Sequence, residues 1–133
     1  MVLVDTAVWI DWLRGTPSPA TLRLGLLLQD GDAAIAPVIL QELLQGAASP
    51  QALRTLRSRF EALTMLEPAA GGATHADAGA LYARCRWAGI TPRSPHDCLI
   101  AQLALAHGVP LLHDDRDFDR IAEVQPLLVA WRG

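Results

Sequence analysis

Short apolar runs alternate along this chain with longer stretches in which apolar residues return every three or four positions. The runs are Val2 to Val4, Ala33 to Ala36, Thr64 to Leu66, Leu111 to Leu112 and Leu127 to Ala130. They are brief and lack polar alternation, which predicts strands buried on both faces. The longer patterns predict helices near residues 6–14, 19–30, 37–46, 50–62, 73–88, 95–107 and 116–123. Such alternation predicts an α/β fold, a three-layer α/β/α arrangement around a mostly parallel central sheet. The stretch from Cys98 to Ala106 is apolar on nearly every side, as expected of a helix held between layers. Gly108 can end that helix and Pro110 prevents its continuation.

The turns at Gly15 to Pro19, Ala47 to Pro50, Pro68 to Gly72 and Gly89 to Pro95 are all too short to link domains, and no repeat is evident. One domain over residues 1–133 is the simplest expectation. With 51% hydrophobic and 19% charged residues, the chain has enough apolar side chains for a core and too few charges for disorder. Cys85 and Cys98 lack any paired spacing and are expected as reduced core thiols. The first residues carry no basic leader, and Leu22 to Leu28 is too short to span a bilayer. A cytoplasmic protein with no membrane partner is expected. A net charge of −3 gives no general attraction to nucleic acid, so phosphate contacts require local clusters of arginine, the only strongly basic residue present.

Four acids stand out by position. Asp5 and Asp115 follow the apolar runs Val2 to Val4 and Pro110 to Leu112, Glu42 is the lone acid of a mostly apolar helix, and Asp97 opens the buried helix behind Ser94-Pro95. In an open α/β sheet, ligands gather beyond the carboxyl ends of the strands. Acids leaving those ends can therefore converge from distant parts of the chain into oxygen ligands for a hard divalent cation.

Each acid also has a plainer explanation. Asp5 can cap the helix after it. Ser94 and Asp97 have the spacing of a capping box, and a lone Glu on a helix is usually solvated. The run His113 to Asp119 fails as a calcium loop, because a loop begun at Asp115 puts Arg120 where glycine is required and Pro126 where the bidentate Glu belongs. His75, His96, His107 and His113 lack metal-ligand spacing and are expected as surface or capping residues. The joint pattern, more than any one site, suggests a metal centre.

Four ordered blocks then carry a resemblance: Val4-Asp5-Thr6-Ala7-Val8-Trp9, Gln41-Glu42-Leu43-Leu44-Gln45-Gly46, Ser94-Pro95-His96-Asp97-Cys98-Leu99-Ile100-Ala101 and Asp115-Arg116-Asp117-Phe118. In order and spacing the chain resembles the PIN-domain ribonucleases, and among them the VapC toxins of bacterial type II toxin–antitoxin systems. The resemblance implies that Asp5, Glu42, Asp97 and Asp115 are catalytic, with Asp5, Asp97, Asp115 and Asp117 on the metal. It also implies magnesium- or manganese-dependent endoribonuclease activity, a homodimer and inhibition by a cognate VapB-like antitoxin. The chain departs from many relatives in having His113 where they place Thr or Ser.

Crowded carboxylates repel, and a hard cation relieves that repulsion while activating water and a phosphodiester. In-line attack by water, leaving a 5′-phosphate, is the expected chemistry. Arg14, Arg93 and Arg116 lie near the acidic blocks and are the candidate RNA contacts, since a guanidinium pairs with phosphate in bidentate fashion. The alternatives are a catalytically silent PIN-like module that binds RNA or protein, and a metal-dependent phosphohydrolase. A phospho-receiver is disfavoured because the chain has no lysine, and a haloacid dehalogenase-type phosphatase because Ala7 stands where its second acid belongs.

Overall fold

Val2, Leu3 and Val4 are buried in succession, because helices cover both faces of the sheet they enter. In the computed structural model, which describes all 133 residues, five strands form one sheet. They are β1 (Val2–Val4), β2 (Ala33–Ile35), β3 (Thr64–Met65), β4 (Leu111–Leu112) and β5 (Ala130–Trp131), in the order β3-β2-β1-β4-β5. Every pairing is parallel, with Leu3 central between Ala34 on one side and Leu111 on the other. The expected mostly parallel sheet is thus wholly parallel.

The helices are α1 (Thr6–Arg14), α2 (Pro19–Asp30), α3 (Pro37–Gln45), α4 (Pro50–Glu61), α5 (Ala73–Trp87), α6 (Pro95–Ala106) and α7 (Arg116–Val124), with a 3-10 turn at Ala70–Gly72. Four of them begin on a proline, whose fixed φ suits the first helical position and whose missing N–H is no loss there. Gly31 ends α2 at φ 72°, a left-handed conformation that lets the chain turn directly into β2. Helices α1 to α4 pack on one another, as do α5 to α7, and α3 meets α6 where the groups join. Right-handed crossovers put the two groups on opposite faces, giving three layers.

The edge strand differs from expectation. Leu127 is 79% exposed and precedes the ladder, while Ala130 and Trp131 pair with Leu111 and Leu112. Apolar residues there compete for the same edge, and the backbone bonds to β4 select the later pair.

The order of the strands fixes where a site can form. From β1 the chain steps outward through β2 to β3, then returns to β4 on the other side of β1. The carboxyl ends of β1 and β4 therefore flank the switch point of the sheet, where a crevice opens between diverging connections.

Candidate metal centre

Asp5 is the first residue beyond β1, and its N–H donates to the Leu112 carbonyl across the switch point at 2.9 Å. This bond ties the end of β1 to the end of β4. The side chain is buried and does not cap α1. Burial is the main reason its carboxyl is raised to about 7; the nearby Thr6 and Ala7 amides pull it down, while the Glu42 and Asp115 charges push it further up.

Asp97 occupies the first turn of α6 and is also raised to about 7, by burial first and then by the charges of Asp5, Asp115, Asp117 and Glu42. Carboxylates coupled in this way occupy one neighbourhood. The expected capping box is absent, since Ser94 Oγ accepts from the His96 amide at 3.2 Å and the Asp97 amide donates to the Ser94 carbonyl. The Asp97 carboxylate is left free of that role.

Three residues beyond β4, Asp115 caps α7 by accepting from the Asp117 amide at 2.9 Å. Its own N–H donates to His113 Nδ1 at 3.2 Å. His113 is fully buried against Phe118, so of the expected surface or capping roles the surface one is corrected. Burial holds its imidazole below the ordinary range despite Asp119 nearby, so it is neutral and can accept from Asp115. Its Nε2 lies 3.4 Å from Asp119 Oδ1 but is not aligned for a hydrogen bond. The aromatic ring thus both fills the core and organises the acidic turn.

Asp97, Asp115 and Asp117 offer carboxylate oxygens that all lie within 4.8 Å of one another. Asp5 and Glu42 stand outside this closest group but within its field. Arg93 closes one side: its Nη2 donates to Asp115 at 2.8 Å, and both its Nε and its backbone N–H donate to Asp117 at 3.2 Å. Burial opposes ionisation of Asp117, but these contacts outweigh it and hold the carboxyl below the usual range. Arg93 is thus the one expected RNA contact that touches the acids. Arg14 and Arg116 form no ion pair with them.

Glu42, on α3, has Oε1 buried without a hydrogen-bond partner, 3.7 Å from His96 Nδ1. Thr6 Oγ1, immediately after Asp5, is likewise buried and unpartnered. Orphaned buried oxygens beside an all-carboxylate group suit a hard divalent cation with its waters. Thr6 escapes notice in the sequence because a hydroxyl behind an acid looks like an ordinary helix start. A cavity of about 620 Å³ lies by Gly15 to Pro19 and contains none of these acids. Its wall has no titratable group.

Residues 2–124 match the family described as PIN domain. Over 132 residues the chain is 39% identical to Ribonuclease VapC11 of Mycobacterium tuberculosis and to VapC ribonuclease Mb1587 of Mycobacterium bovis, covering 98% of this chain and 98% of each relative. The chain belongs to the PIN-domain family, among the VapC ribonucleases. The same PIN fold occurs in the crystal structure of VapBC2 from Rickettsia felis bound to a promoter DNA fragment, with a TM-score of 0.75 at 22% identity over 98% of this chain and 97% of that one. DNA-bound VapBC from Salmonella typhimurium gives a TM-score of 0.74 at 24% identity, over 97% and 95% of the two chains. At these identities the structural likeness speaks for the PIN fold, while the mycobacterial relatives carry the family assignment.

Proposed function

We propose that this protein is a metal-dependent endoribonuclease, the toxin of a type II toxin–antitoxin pair. The observation that carries the reading is the gathering of acids at the switch point of a PIN sheet, in a chain 39% identical along nearly its whole length to named VapC ribonucleases. Chains of like fold occur in VapBC complexes and in a toxin-antitoxin complex from Klebsiella pneumoniae, which supports a VapB-like antitoxin as partner. A homodimer and a cytoplasmic setting belong to the same reading. No helix is long and apolar enough to cross a membrane.

Magnesium or manganese fits the all-oxygen donor set, and when bound supplies Lewis-acid activation of water and of the scissile phosphate. Asp97, Asp115 and Asp117 would hold it, with Asp5 as a further ligand. Asp5 and Asp97, raised to about 7, are poised to release their protons as a cation arrives. Glu42 Oε1 would orient water at the rim. Arg93, which holds Asp115 and Asp117, would share these carboxylates with the cation, and its exposed guanidinium can also donate to a phosphate oxygen. In-line attack by water leaves a 5′-phosphate. The test is cleavage of RNA by purified protein after metal removal and after return of manganese, with mapping of the new 5′ ends. Fragments ending in 5′-phosphate are expected, and cleavage unaffected by a chelator would refute the reading.

A further inference from the structure

Trp87 ends α5 and is 81% exposed, an unfavourable place for the largest apolar side chain unless something covers it. It is the only strongly exposed large hydrophobic residue between Leu53 and Leu127. Along the chain, no second large exposed apolar residue stands beside it to build the contiguous patch of a protein-docking surface. What surrounds Trp87 in the chain is positive charge. Arg84 lies one helical turn before it and Arg86 next to it; both are exposed and neither pairs with an acid. Residues three apart on a helix share a face, so Arg84 and Trp87 are neighbours on the surface.

The charge pattern extends toward the metal centre. From Ala78 to His96 the chain has Arg84, Arg86 and Arg93 and no acidic residue, although acids outnumber arginines overall, 14 to 11. This acid-free stretch ends at Asp97 itself. Arg93, six residues after Trp87, touches Asp115 and Asp117. Even fully extended, those six residues span roughly 20 Å at most, a distance that a few nucleotides can bridge.

We infer that Trp87, flanked by Arg84 and Arg86, is a stacking platform for an unpaired RNA base, at the outer end of a basic track that Arg93 completes at the acidic centre. The inference rests on the ribonuclease reading and adds a substrate subsite to it. Single-stranded RNA suits the feature because every unpaired base offers a face to an indole while arginines hold the flanking phosphates. A base paired within a duplex cannot stack this way.

Fluorescence anisotropy with a short labelled single-stranded RNA of mixed sequence tests it, in an Asp5→Asn background to prevent turnover. Trp87→Ala should weaken binding about tenfold, the scale of one stacked base, and Trp87→Phe should restore most of it. The exposed position makes loss of folding unexpected. Arg84→Gln with Arg86→Gln should lower the slope of log affinity against log salt by about 0.7 for each phosphate that is no longer neutralised. Duplex RNA of the same sequence should bind Trp87→Ala and parent equally. Unchanged single-strand affinity in Trp87→Ala would overturn the platform, as would a loss of self-association with RNA affinity intact, which would make Trp87 a protein contact. Cleavage by the otherwise native protein separates the two ideas: if it cleaves RNA with manganese while Trp87→Ala binds normally, the platform alone fails. If it neither binds nor cleaves RNA, both fail.

Discussion

At the scale of single residues, an acid at the third position of a helix ordinarily gains from the N-terminal dipole. At Asp97 burial and the surrounding carboxylates win, and ionisation is disfavoured. In metal-free protein, Asp5 and Asp97 keep protons to about pH 7 when folded but release them near pH 4 when unfolded. The folded state therefore binds more protons across that window, and stability falls as pH rises from about 4 to about 7. His113 opposes the trend, because its depressed folded pKa removes stability as pH falls below the unfolded value. Two acids against one histidine leave the acid direction dominant: the melting temperature in chelator should be lower at pH 8 than at pH 6. In the Asp5→Asn, Asp97→Asn double variant that difference should vanish or reverse, and thermal denaturation across pH checks it. An unchanged slope would mean that these acids are not the strained pair. Arg93 gives a second expectation at this scale. Since its guanidinium neutralises Asp115 and Asp117, Arg93→Gln should bind manganese more tightly by calorimetry while cleaving RNA more slowly. Weaker manganese binding would instead make Arg93 a support that positions Asp117.

Between residue and molecule lie the connections that aim the acids. The turn from β4 into α7 is built on His113, whose ring fills the core beside Phe118 and whose Nδ1 accepts from the Asp115 amide. His113→Ala should leave a cavity and an unpaired amide, costing roughly 2–4 kcal/mol in urea unfolding. A loss below about 0.5 kcal/mol, the range of ordinary surface changes, would show that the turn holds its shape without the ring. The sequence marks Asp115 as an acid beyond a strand but does not reveal its histidine support, because imidazole suits surface and core alike until packing decides. Strands β1, β2 and β4 are legible because burial on both faces leaves continuous apolar runs. At the edge, the apolar run puts β5 too early, since Leu127 is as apolar as Trp131 and only the ladder with β4 distinguishes them. The proline-led helix starts are legible because proline acts within one turn of itself.

For the whole molecule, convergence of the acids is a property of topology. Asp5 and Asp115 lie 110 residues apart in sequence but adjoin through β1 and β4, and α6 brings Asp97 to the same edge. Their meeting can be expected from the rule for parallel sheets. The Arg93 clasp cannot, as it joins side chains 22 and 24 residues apart that no local pattern links. Nor does sequence separate the close group, Asp97, Asp115 and Asp117, from Asp5 and Glu42 at its border. A cation that binds only where these acids meet should stabilise the fold by about 2.7 kcal/mol at a hundredfold excess over its dissociation constant. The most direct test of the central claim is RNA cleavage by metal-stripped protein titrated with manganese, comparing wild type with an Asp97→Asn variant shown by circular dichroism to be folded. No cleavage without metal, saturable cleavage with it and none by the variant are the predicted results. Equal cleavage by the variant, or cleavage by wild type in chelator, would contradict the acidic crevice as the catalytic centre.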